Sequence, residues 1–149
     1  MLKQFWKILE TGIVTEKLTS NGKRSVHIRQ VDTGSCNGCD WEMNTLLNPI
    51  YDVQRFGLDF VASPRHADIL LVTGAATKNL AKALKKTYDA TPEPKIVIAL
   101  GDCACGNGIF KDNYAVYGVE NIVPVDAYIP GCPPEPESII KAILSFLDK

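Results

Sequence analysis

The amino-acid sequence predicts an α/β fold built on parallel strands. Two continuous apolar runs carry that prediction, Ile69-Leu70-Leu71-Val72 and Ile96-Val97-Ile98-Ala99-Leu100, each closing near a turn glycine as strands buried on both faces do. Between them, Lys78 to Tyr88 sets Leu80, Ala81, Ala83 and Leu84 among lysines. That is the pattern of a crossover helix, and Thr91-Pro92-Glu93-Pro94 ends the connection.

The remaining elements follow in chain order. Leu2, Phe5, Trp6, Ile8 and Leu9 fall near helical spacing ahead of Thr11-Gly12, so the first segment reads as a short amphipathic helix. After Ser20-Asn21-Gly22, the run from Ser25 to Val31 alternates as a strand and ends in Asp32-Thr33-Gly34-Ser35. Cys39 to Leu47 reads as a helix stopped by Asn48-Pro49, and Leu58 to Ala62 as a short extended piece. Asn121 to Val125 is expected as a last short strand, and Pro133-Pro134-Glu135-Pro136-Glu137 opens a helix through Ile139, Ile140, Ile143, Leu144 and Leu147.

A chain of 149 residues, 46% hydrophobic and 22% charged, matches one ordinary globular domain with enough apolar side chains for a core. The expected organisation is an N-terminal amphipathic helix and linker over residues 1–24 and a single domain over 25–149. A formal net charge of -1 gives no basic field of the kind that phosphate backbones need, so nucleic acid is excluded as a partner. The N-terminus mixes charges into its apolar residues and has neither a continuous apolar leader nor a twin arginine, which points to a chain that stays in the cytoplasm. Uncharged runs such as Met43 to Tyr51 and Ile69 to Thr77 reach nine residues, against the roughly 20 of a membrane-spanning helix.

Five cysteines in a reducing compartment point to metal ligation, catalysis or burial rather than disulfides. Cys36 and Cys39 follow the first strand, Cys103 follows Leu100, and Cys132 follows the Val123 to Ile129 segment. In an open parallel sheet these positions share the carboxyl edge, the usual place of a ligand site. Gly34, Gly38, Gly101 and Gly131 accompany them, which suits a sulfur-cornered cluster approached by backbone N–H groups. A lone cysteine is more often a small buried hydrophobe, but a Cys-x-x-Cys pair with two further glycine-flanked cysteines at strand ends reverses that expectation. Structural zinc is the rival. Zinc usually draws ligands from two close pairs, whereas here the third and fourth are single and far apart, which favours an iron-sulfur cluster. Either Cys103 or Cys105 could serve as the third ligand; Cys103 is preferred because it directly follows Gly101-Asp102 at the strand end.

Five segments in order, Gly34-Ser35-Cys36-Asn37-Gly38-Cys39-Asp40, Tyr51 to Gly57, Pro64 to Gly74, Gly101-Asp102-Cys103 and Pro130-Gly131-Cys132-Pro133-Pro134, resemble the small subunit of nickel-iron hydrogenases, specifically the short, membrane-bound, energy-converting class. The likeness runs over roughly residues 25 to 147. It implies a flavodoxin-like open parallel sheet with helices on both faces and one 4Fe-4S cluster on Cys36, Cys39, Cys103 and Cys132. The cluster would lie beside the nickel-iron centre of a separate large subunit. It further implies a ferredoxin-like iron-sulfur subunit as electron partner and membrane subunits that hold the complex at the cytoplasmic side of the membrane. The related complex I subunit has two adjacent cysteines where Asn37-Gly38 separates Cys36 from Cys39 here, and the separation favours the hydrogenase. One departure is the loop after the third ligand, where many hydrogenases carry a Gly-Gly pair and this chain has Gly106-Asn107-Gly108.

Glu42, three residues after the ligand pair, could relay protons or orient the partner subunit; a solvated surface glutamate is the bland alternative. His27 reads as a half-exposed strand residue, His66 as a loop residue with local bonds, and Lys78, Lys82, Lys85 and Lys86 as a solvated helix face. The expected function is electron transfer within a membrane-associated hydrogenase, with a complex I-like quinone or sulfur reductase as the nearest alternative.

The Leu2, Phe5, Trp6 and Leu9 face is expected to dock on a membrane-embedded partner, with Lys3 and Lys7 suited to that site or to anionic headgroups. Deleting residues 1–10 should leave the cluster's absorption spectrum intact and release the complex from purified membranes. Loss of the cluster in an otherwise assembled complex would place that helix in the core instead.

Overall fold

The computed structural model of the chain describes residues 25–147. The expected N-terminal helix and linker, residues 1–24, lie outside the described residues. Five strands form one sheet: β1 (Val26–Asp32), β2 (Leu58–Phe60), β3 (Ile69–Thr73), β4 (Ile96–Leu100) and β5 (Ala127–Ile129). Their order is β2-β1-β3-β4-β5 and every neighbouring pair is parallel. Among the described residues three helices accompany them: α1 (Gly38–Thr45), α2 (Lys78–Ala90) and α3 (Pro136–Leu147). This is the doubly wound order of flavodoxin-like proteins.

The pleat sends alternate side chains of each strand to opposite faces. Ile69 and Leu71 of β3 therefore join Ile28, Ile98 and Leu100 in a core closed by Met43 and Leu46 and by Ile139, Ile143 and Leu144 of α3. Leu70 and Val72 turn the other way, to Val97, Ala99 and Leu84 of α2. All five residues of β3 are buried, which is why its sequence reads as an unbroken apolar run. On α2, Leu84 faces the sheet while Lys78, Lys82, Lys85 and Lys86 are exposed, and Lys85 pairs with Asp89 at 3.0 Å, so the lysine run is the solvated face its spacing predicts.

One element differs from expectation. Asn121 to Val125 does not form the last strand: residues Val119–Asn121 make a single 3₁₀ turn, and β5 begins at Ala127. Pro124 lacks the N–H that a ladder position must donate, and Val123 instead buries with Val119 under the sheet. Pairing starts two residues later, where Asp126 N donates to Val97 O at 2.9 Å and accepts, through its carboxylate, from Val97 N at 2.7 Å.

Leu71 is fully buried between β1, β4 and the α1/α3 layer. Leu71→Ala should cost about 2–5 kcal/mol of unfolding free energy, while Lys86→Ala on the exposed face should stay within about 0.5 kcal/mol. Urea denaturation of the two variants measures the contrast.

Candidate metal centre at the carboxyl edge of the sheet

β3 lies between β1 and β4, so the loop leaving β1 must pass over the end of β3 to approach the loops leaving β4 and β5. The passage is tight. Gly74, with φ +86°, sits directly beneath it, and a Cβ there would come within 2.5 Å of Ser35 N and 2.7 Å of Gly34 C. Thr33 fastens the crossing: its N–H and its hydroxyl both donate to Thr73 O, at 2.8 and 2.6 Å, and its Oγ1 accepts from Ala76 N at 3.1 Å. Asp32 Oδ1 then accepts from the Gly34 and Ser35 amides at 2.9 and 2.8 Å, which turns the chain toward Cys36.

Asn37 adopts a left-handed φ of 70° between Cys36 and the start of α1, a conformation Asn tolerates better than most residues. Cys39 is thereby placed on the first turn of α1, partly buried against the core. Asp40, beside it, accepts from Gln30 Nε2 at 2.6 Å, from Thr73 Oγ1 at 2.9 Å and from Ser35 Oγ. One carboxylate thus ties β1, β3 and the Cys36 loop to α1.

The other two loops are also tied to each other. Gly101 N donates to Ile129 O and Asp102 N to Gly131 O, both at 2.8 Å, and the Asp102 carboxylate accepts from Gly131 N at 2.7 Å. Cys103 and Cys132 therefore leave the sheet side by side. Gly101 completes the approach: a Cβ on it would land on Cys39 Sγ, so only a glycine lets that thiol reach the β4 loop. A Cβ on Gly38 would lie 3.6 Å from Cys36 Sγ and 3.8 Å from Pro133, which shows the first and fourth loops packing together.

The electrostatics sort the five thiols. Burial pushes Cys39 up to about 12, and Asp40 and then Cys103, Cys36 and Cys132 add to the rise. Cys103 is likewise raised by burial, then by Cys132, Cys36 and Asp102, while the Ile109 amide donates to it and pulls it down. Cys105 is pushed up to about 11 by burial and then by Asp102, with no contribution from another cysteine. Its Sγ lies 3.6 Å from Ala99 O, and it packs against the α2-side core. Cys36, Cys39, Cys103 and Cys132 thus stand in each other's field and Cys105 stands apart. Among the described residues no three cysteine, histidine or carboxylate side chains close on a point as they would around a single ion. Four soft thiol donors on glycine-bounded loops, two of them, Cys39 and Cys103, made harder to ionise by the other cysteines, fit an iron-sulfur cluster, whose iron binds thiolate and offsets its charge.

Glu42 is half-buried on α1, three residues after Cys39. His27 and His66 lie at the opposite, amino edge: His27 N donates to Asp68 at 3.0 Å, and His66 is exposed in the turn before β3. Sequence reasoning did not single out Asp40, Thr73 or Asp102 as positioning residues. The available signals were the placement of both aspartates directly beside cysteines and of a threonine closing an apolar strand.

Fold and thiols together define a flavodoxin-like α/β protein with a soft-donor site at its sheet edge. The chain belongs to the family described as NADH ubiquinone oxidoreductase, 20 Kd subunit, whose profile matches residues 36–146. It is 47% identical over 127 residues to the probable membrane-bound hydrogenase subunit mbhJ of Pyrococcus furiosus, covering 85% of this chain and 76% of that protein. It is 47% identical over 112 residues to a subunit of the NADH-quinone oxidoreductase of a Nocardioides species, covering 74% of this chain and 61% of that one. A solved structure of the membrane-bound sulfane sulfur reductase, an archaeal respiratory membrane complex, contains a similar chain: TM-score 0.72 and 36% identity, over 87% of this chain and 73% of that one. Among the described residues no helix is long and apolar enough to cross a membrane.

Gly101→Ala should displace Cys39 Sγ and lower bound iron, whereas Cys105→Ser should leave it near wild type. Cys103→Ser should lose iron, because a hydroxyl is a poor substitute for thiolate. Iron analysis of the three purified variants tests the set, and iron loss in the Cys105 variant alone would exchange the roles of the two residues.

Proposed function

We propose that this chain is the electron-transfer small subunit of a multisubunit nickel-iron hydrogenase, holding one 4Fe-4S cluster on Cys36, Cys39, Cys103 and Cys132. The observation that carries the reading is the convergence of the three loops bearing those four thiols at one sheet edge, while the Cys105 thiol turns toward Ala99 O. When bound, such a cluster supplies one-electron uptake and release. The chain's own part is positional. Asp40 and Thr33 pin the first ligand loop across β3, and the Asp102 carboxylate holds the third and fourth together. The Ile109 amide donates to Cys103 and favours its thiolate.

Apolar side chains rim this edge. Trp41, two residues after Cys39, is 71% exposed, and Ile109, six after Cys103, is 86% exposed, with Phe110 beside it. Large apolar groups left in water beside a ligand edge favour a protein partner there, here the large subunit with its nickel-iron centre. A ferredoxin-like subunit would supply electrons, and membrane subunits would hold the complex at the cytoplasmic face. Glu42, half-buried one helical turn from Cys39, is the candidate proton relay between this chain and the large subunit.

A second reading, a complex I-like quinone or sulfur reductase, is supported by the likeness to the sulfane sulfur reductase chain. The complex purified through the full-length chain separates the two. About four irons and as many acid-labile sulfides on this chain, nickel on its partner and hydrogen evolution from a reduced ferredoxin support the hydrogenase. A nickel-free complex that reduces quinone or polysulfide supports the alternative, and zinc without sulfide would remove both.

A further inference from the structure

Asp40 is the acidic side chain most tightly woven into the ligand loops, and the function proposed above leaves its charge unused. Its oxygens accept from three side chains that come from three places: Gln30 on β1, Thr73 at the end of β3 and Ser35 in the loop before Cys36. All three donors are neutral. Among the described residues no lysine, arginine or histidine forms an ion pair with it, although Arg29 lines the same cavity of about 270 Å³ beside α1. Neutral hydrogen bonds fix a carboxylate in place without cancelling its charge, so the negative charge is held immobile and, among the described residues, has no direct ion pair.

That charge falls on the ligand next to it. Asp40 follows Cys39 directly in the first turn of α1, and its bonds to Gln30, Thr73 and Ser35 hold its carboxylate at the root of that ligand's loop. A fixed anion opposes the arrival of an electron nearby for the same Coulombic reason that it opposes a thiolate, and partial burial keeps water from screening it fully. Asp102 is the comparison. It too adjoins a candidate ligand, Cys103, but its carboxylate is committed to a backbone amide of the fourth ligand loop.

We propose that Asp40 sets the reduction potential of the cluster held by this chain, acting as a fixed negative charge beside Cys39 that lowers the potential while its hydrogen bonds position the Cys36 loop. This rests on the four-thiol reading of the site. Asp40 is a positioning residue, since it touches no reacting atom and works through Cys39 and Ser35.

The test is a redox titration of the full-length chain reconstituted anaerobically with iron and sulfide, read by electron paramagnetic resonance of the reduced cluster. Asp40→Asn keeps the shape and one acceptor oxygen but removes the charge. It should keep its iron and sulfide and favour the reduced cluster at least threefold, which is about 28 mV upward for one electron. Thr73→Val removes a neutral donor and leaves the charge less dispersed, so its midpoint should lie at or below wild type. A purely structural role would move both variants the same way. The proposal is overturned if Asp40→Asn holds a cluster whose midpoint stays within threefold of wild type, or if Thr73→Val rises. Should Asp40→Asn fail to hold a cluster, the sign of the Thr73→Val shift decides alone. An intact wild-type cluster with an unmoved Asp40→Asn midpoint sinks this inference and leaves the site reading standing. A wild-type chain that takes up no cluster sinks both.

Discussion

The end of β3 is the point on which the arrangement turns. The candidate ligands leave the sheet from β1, β4 and β5, and β3 stands between the first of these strands and the other two. A loop from β1 can meet loops from β4 and β5 only by crossing that strand end at backbone contact. Gly74 makes the crossing possible by having no side chain, and Thr73 and Thr33 make it definite with buried hydrogen bonds. Burial matters here, because a hydrogen bond withdrawn from water cannot be exchanged for one to solvent, and leaving such a group unpaired costs about 1–3 kcal/mol.

Drawing four thiols into one field carries an electrostatic cost that the chain alone does not relieve. Cys39 shows it most clearly, with burial, a neighbouring carboxylate and three other thiols all opposing its ionisation. A site assembled against its own charges is a common mark of function, since selection for folding alone would separate such groups. The backbone geometry absorbs the strain locally: a left-handed Asn37 and the Gly101 approach place the sulfur atoms, while the strands beneath remain regular. The division of labour is plain, with the sheet supplying rigidity and the loops supplying donors.

The same edge that gathers the thiols is also the one that keeps apolar side chains in water. Trp41, on the first turn of α1, and Ile109, in the loop after β4, stand beside ligand candidates, so whatever covers them also covers part of the site. Membership of a family whose relatives are subunits of hydrogenase and quinone oxidoreductase complexes gives that exposure an ordinary explanation in subunit contact. The histidines, by contrast, lie at the amino edge, where His27 serves Asp68 and the strand start.

Much of this was legible in the order of residues alone. The runs Ile69 to Val72 and Ile96 to Leu100 are apolar at every position because both faces of a parallel sheet are covered, and burial of that kind leaves its mark residue by residue. The cysteine loops were legible for the same reason, since they follow strand ends and carry their glycines with them. β5 was misplaced because Asn121 to Val125 has strand-like composition, while ladder pairing depends on an N–H that Pro124 does not have and on a register to β4 that no local signal encodes. The sequence preferred Cys103 over Cys105 only from its place after Gly101-Asp102; the direction of the two thiols came with the tertiary structure, where the Cys105 N–H bonds back to Gly101 O and its thiol points to the core. Asp40 was hidden for a further reason. Its three donors lie 5, 10 and 33 residues away, and only the pairing of β1 with β3 and the passage of the β1 loop over the end of β3 bring them to one carboxylate.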